Sequence, residues 1–196
     1  AEASGPVIDA AGGIASGMSG SPVYVAGGGE YKLIGALSYG SDFTIGGLFL
    51  ATPIEYMAAI EDGYAAAPPA PGAYKLDDPV VTGAGLVRSV IIARGQKAAA
   101  EIDAKAGQAV MAPLVVLEIG GLPAKSRAYK ELAARLEKQT GLTARPAASA
   151  GFWSGPPAPD LEAGSAVCEL FSLGSVWYGA AGTVTYVSDG VAMSFG

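Results

Sequence analysis

Apolar residues along this chain fall in short runs broken by glycine, proline and small polar turns, and helical spacing governs only one long stretch. Residues 22–26 and 31–39 read as two strands, and Gly27-Gly28-Gly29-Glu30 supplies the turn of a hairpin between them. Thr52-Pro53-Ile54-Glu55 opens a short helix. Thr52 suits its cap, Pro53 its first position and Glu55 a capping box, with Ile54, Met57 and Ala58 as its apolar face and Gly63 as its end. Residues 86–93 and 113–119 again read as strands. Tyr129, Leu132, Ala133 and Leu136 then recur at helical spacing within a helix expected over 124–139, which Gly141 closes. The charged face of that helix (Lys130, Glu131, Arg135, Glu137, Lys138) reads as solvated. Residues 166–173 and 180–187 are strand-like, and Ser188-Asp189-Gly190 turns the chain into a returning strand over 191–195. Proline-rich stretches at 65–72 and 149–159 punctuate these elements.

Composition sharpens the picture. With 29 glycines and 13 prolines in 196 residues, short strands and loops fit better than a helix bundle. The chain is 51% hydrophobic and 15% charged, which allows a sizeable core. A formal net charge of −6 argues against nucleic acid as a partner, because an acidic surface repels phosphate backbones. No apolar stretch approaches the roughly 20 residues of a membrane helix. There is no histidine, and Cys168 is the single cysteine. A zinc site of the usual ligands is therefore not expected, nor any other metal or cofactor, and Cys168 reads as a small buried hydrophobe.

The segment that carries chemistry is Gly13-Ile14-Ala15-Ser16-Gly17-Met18-Ser19-Gly20-Ser21-Pro22. A serine nucleophile needs room for an approaching carbonyl and two N–H groups aimed at the developing oxyanion. Gly17 frees the backbone to turn one N–H inward, Ser19 contributes its own, Gly20 clears the space beside the nucleophile, and Pro22 fixes the exit into a strand. Ser19 is thus the candidate nucleophile, with Gly17 and Ser19 as the candidate oxyanion hole. Ser38-Tyr39-Gly40, on the next strand, is the candidate substrate-binding edge, which would receive an extended peptide by strand addition. Asp9 and Asp42 are available acids, each read first as a turn residue. A Ser19–Lys32 dyad is a weaker alternative source of a base.

The runs Gly-Gly-Ile-Ala-Ser-Gly-Met-Ser-Gly-Ser-Pro-Val-Tyr-Val (12–25), Lys-Leu-Ile-Gly-Ala-Leu-Ser-Tyr-Gly (32–40) and Thr-Pro-Ile-Glu-Tyr-Met (52–57) resemble the SpoIVB-type serine peptidase family, whose chemistry is chymotrypsin-like. Residues 161–166, 182–187 and 189–196 resemble the segment leading to that family's histidine, which the resemblance would put immediately after Gly196. What the resemblance implies is a serine endopeptidase, present here without its general base, acting on an extended peptide or protein, with an exported or envelope-associated location. The alternative is a catalytically inactive pseudoprotease that binds peptides or serves as a scaffold. A third reading, a structural β domain with a chance serine loop, calls for Ser19 to be buried away from any cleft. Another chain could supply the missing histidine or complete the sheet, since the last strands present apolar edges.

The expected fold is mainly β (α+β), with chymotrypsin-like barrel elements and a small α/β middle segment. Residues 1–63 form the serine-bearing barrel segment, 64–80 a Pro/Ala-rich linker, 81–160 the α/β middle, and 161–196 the strands leading to the expected histidine.

Overall fold

The structure, a computed structural model, describes residues 1–41, 47–60, 69–83, 85–147 and 160–195. Asp42, Gly63 and the proline-rich stretch at 149–159 lie outside the described residues, as does the first half of the stretch at 65–72.

The chain is mainly β, in two sheets that do not close into barrels, so the barrel elements expected of residues 1–63 take an open form. A short helix α1 (Pro6–Ala10) precedes the serine loop. Strands β1 (Pro22–Gly27) and β2 (Glu30–Gly40) then form the expected hairpin, with Gly28 and Gly29 both at positive φ in its turn. β3 (Phe49–Pro53) pairs with β2 and leads into α2 (Ile54–Ala58). The expected capping box is absent. Pro53 holds the cap position, and the Thr52 hydroxyl lies 2.7 Å from Ser38 Oγ instead, because Thr52 is a residue of β3.

Next come β4 (Gly72–Thr82), β5 (Gly85–Ile92), α3 (Gln96–Ala100) and β6 (Gln108–Pro113). β4 occupies most of the region expected to be a linker. Its pairing with β5, from Gly72↔Ile92 to Thr82↔Gly85, satisfies the backbone that a linker would leave to water. β5 runs parallel to β6, and β6 joins β2 through Tyr39↔Pro113 and Gly40↔Ala112. The order of the first sheet is therefore β1-β2-β6-β5-β4, with β3 also on β2.

The strand expected over 113–119 is broken. Pro113 ends β6, and β7 (Val116–Gly120) belongs to the second sheet, so Leu114 and Val115 carry the chain from one sheet to the other. Helix α4 (Arg127–Thr140) follows, capped by the Ser126 hydroxyl on the Tyr129 N–H and closed by Gly141 at φ 77°. Tyr129, Ala133 and Leu136 pack with Leu117 and Ile119 of β7, as their spacing predicts. β8 (Thr143–Pro146) runs parallel to β7.

β9 (Ala166–Ser172), β10 (Trp177–Ser188) and β11 (Val191–Phe195) complete the second sheet, and the β10–β11 turn has Asp189 and Gly190 at positive φ. β10 is its spine. β7 pairs with residues 177–181 of β10 and β9 with residues 178–183, so they take opposite edges. Thr183 pairs with both Ala166 of β9 and Phe195 of β11, which puts β11 on the same edge as β7, further along. Outward-facing Leu170, Phe171, Val187 and Val191 stay exposed on this sheet. Cys168 is also exposed, contrary to expectation, on a strand whose ladder partner is β10.

Candidate functional site

The serine loop sits where the two sheets meet. Two successive turns shape it, with Met18 N–H on Ala15 C=O (3.1 Å) and Ser21 N–H on Met18 C=O (3.0 Å). Gly17 and Gly20 adopt φ of 101° and 88°, a region that costs any residue with a Cβ about 1–2 kcal/mol. These are the two glycines singled out for opening the backbone around Ser19.

Four elements hold the loop. From the first sheet, Gly20 N–H donates to Leu37 C=O (2.7 Å), and Leu37 N–H donates to Ser21 C=O (2.9 Å). From the second, the Thr183 N–H donates to Ser19 C=O (2.7 Å), and the Thr185 hydroxyl donates to Gly20 C=O (2.7 Å). Arg145 of β8 donates to Ser16 C=O (3.0 Å). Gly17 N–H donates to Leu114 C=O (2.5 Å). The last strands thus pack back against the serine segment, across an interval of 165 residues in the Thr185–Gly20 bond.

Ser19 is fully buried, and its Oγ has no hydrogen-bond partner. Among buried side-chain polar atoms of the described residues, this hydroxyl is the one left unsatisfied. An unpaired buried hydroxyl costs about 1–3 kcal/mol, and such groups in native proteins mark strain or chemistry.

Ser38-Tyr39-Gly40 forms the end of β2, and an extended chain does lie along it: the protein's own Ala112-Pro113-Leu114. Tyr39 faces Pro113 and Gly40 faces Ala112 in antiparallel register. Leu114 N–H donates to Ser38 C=O (2.9 Å), while its carbonyl receives the Gly17 N–H. Gln96 Nε2 reaches the carbonyls of Gly40 (3.2 Å) and Pro113 (3.4 Å). The Ser38 side chain points away from this exchange, to Ala36 C=O and Thr52 Oγ1. Burial, followed by the nearby Tyr74, raises the Tyr39 phenol above its usual range.

The candidate acids and bases are placed less usefully. Asp9 is exposed on α1, and its carbonyl accepts from Gly12 N–H, a turn role. Lys32 is exposed at the far end of β2, five residues from Leu37, which is about 16 Å along an extended strand. That removes the Ser19–Lys32 dyad. No group of three or more His, Cys, Asp or Glu able to hold a metal occurs among the described residues. No helix is long and apolar enough to cross a membrane among them either.

Sequence reasoning missed Leu114, Arg145, Thr183 and Thr185. None carries a local signal, because each reaches the loop only through strand placement. No protein-family model, curated protein or solved structure matches the chain.

Proposed function

We propose that the protein is a serine endopeptidase of SpoIVB type, with Ser19 as nucleophile and a general base supplied from outside these 196 residues. The observation that carries this reading is the convergence of Gly17 and Ser38 on one backbone. An N–H of the serine loop and a C=O of β2 grip the carbonyl and the amide of a single residue in an extended chain. Acyl transfer needs a peptide carbonyl held against an oxyanion donor, and the Gly17 N–H supplies that grip here.

In the proposed reaction a substrate peptide takes the strip along Ser38-Tyr39-Gly40. Ser19 Oγ attacks its carbonyl carbon and gives its proton to the base. The oxyanion forms against the N–H groups of Gly17 and Ser19, a type of donor worth about 10²–10³ in rate. The base then protonates the leaving amine, and water completes hydrolysis of the acyl-enzyme by the same steps.

β11 brings the described end of the chain close to the serine loop. Phe195 pairs with Thr183, whose N–H holds Ser19. The test is cleavage of an unfolded protein substrate by the full-length protein. Activity that disappears in Ser19→Ala supports the reading, and no cleavage by the full-length protein opposes it.

A peptide-binding pseudoprotease is the second reading. The absence of histidine from the sequence favours it. It keeps the same backbone grip and drops the chemistry. The complete burial of Ser19 favours instead a structural β domain with a chance serine loop.

A further inference from the structure

The side chain of Leu114 fills a buried apolar cluster that neither reading of the site assigns. Leu114 is completely buried, in a cluster with Ile14, Leu37 and Phe49. Ile14 lies at the start of the serine loop, Leu37 immediately precedes Ser38, and Phe49 belongs to β3 opposite Gly40. The floor is Gly40. A Cβ there would stand 3.4 Å from both Leu114 Cδ1 and Ile14 Cγ2. The same residue whose amide binds Ser38 and whose carbonyl binds Gly17 therefore places its side chain in a closed apolar socket, aliphatic on the Ile14 and Leu37 sides and aromatic at Phe49, made by the loop and strands of the proposed active site.

We propose that this socket is the site's specificity pocket. It selects extended peptides with leucine, or a side chain of its size and branching, at the residue whose carbonyl meets Gly17, and Ala112-Pro113-Leu114 occupies it as an internal stand-in for substrate. This rests on the peptide-gripping role proposed above for Gly17 and Ser38. The socket lining is apolar, so an aspartate or lysine at that residue would be buried without a partner, whereas leucine gains about 1.5–3 kcal/mol from burial. Apparent affinity for an external peptide is lowered by the fraction of time the internal segment holds the groove. Loosening Leu114 therefore strengthens external binding.

The test uses a fluorescein-labelled peptide with the sequence of residues 110–117 and a twin carrying aspartate in place of its leucine. Each is titrated against the full-length protein and its Leu114→Ala variant. Leu114→Ala is expected to bind the leucine peptide about tenfold more tightly than the parent does. The aspartate peptide should bind neither form measurably. Where the variant does not fold, the amide NMR shifts of Gly17 and Leu114 in the parent, with millimolar peptide, give the answer instead. Both should move with the leucine peptide and stay fixed with its twin. Equal binding of the two peptides, or binding of neither, overturns the assignment. A fluorophosphonate probe separates the two claims. Leucine-selective binding without labelling of Ser19 keeps the socket and removes the peptidase. Labelling without leucine selectivity does the reverse.

Discussion

Thr183 donates its backbone N–H to the carbonyl of Ser19 at 2.7 Å, joining the central strand of the second sheet to the candidate nucleophile. Two residues on, Thr185 adds its hydroxyl to the carbonyl of Gly20, and both partners of that bond are buried. Thr185→Val keeps the shape but leaves the Gly20 carbonyl unpaired. It should cost about 1–3 kcal/mol in urea unfolding with an unchanged m-value, and Thr185→Ser should recover most of the loss. A neutral Thr185→Val would mean the bond does not hold the loop.

Ser19 should behave in the opposite way. Its Oγ is buried and unpartnered, so Ser19→Ala removes an unsatisfied polar group rather than a contact. The variant should be as stable as the parent or up to about 1 kcal/mol more stable, while any activity is lost. A loss of more than about 1 kcal/mol would give the hydroxyl a structural role.

Ser38 and Thr52 bridge β2 and β3 through their hydroxyls at 2.7 Å. Ser38→Ala and Thr52→Val should each destabilise by about 1 kcal/mol. A double-mutant cycle should return a coupling of about 0.5–1.5 kcal/mol, whereas additive effects would show that the two hydroxyls do not share a bond.

Much of this arrangement is legible in the sequence where the cause is local. The hairpin at Gly28-Gly29, the turn at Asp189-Gly190 and the buried stripe Tyr129, Ala133, Leu136 all follow from turn chemistry or periodicity. Gly17 is recognisable for the same reason, as a position where the backbone must turn its N–H inward, and Gly20, read as clearing space beside the nucleophile, shares its positive φ. What stays hidden is long-range. The apolar run over 113–119 gives no sign that Leu114 leaves one sheet for the other. Thr52 looks like a helix cap until β3 pairs it with Ala36. The proline-rich approach to residue 72 conceals a strand whose partner, β5, follows it directly. Cys168 looks buried by its neighbours in sequence, but β9 leaves it exposed.

The Cys168 thiol is nonetheless shielded in part. Its sulfur lies against the β10 backbone, so close that a Cβ on Gly179 would come within 2.8 Å of it. Burial first, and then the negative charge of Glu118, raise the thiol above its usual range. The thiolate is the reactive form, so a raised pKa lowers reactivity at any pH below it. Alkylation by iodoacetamide should therefore have its pH midpoint above that of the unfolded chain in urea. The stability that the protonated thiol contributes is present below the unfolded pKa and fades as pH rises through the folded one. Glu118→Gln should move the alkylation midpoint down, and identical midpoints in the folded and unfolded chain would contradict the shielding.

The account turns on whether Ser19 becomes a nucleophile when a base is present. The most direct measurement is reaction of the full-length protein with a fluorophosphonate probe, followed by mass-spectrometric mapping of the adduct. A single adduct on the peptide containing Ser19, absent from Ser19→Ala, is the expected result. A full-length protein that folds and leaves Ser19 unmodified would contradict the peptidase and leave the grip of Gly17 and Ser38 as a binding device alone.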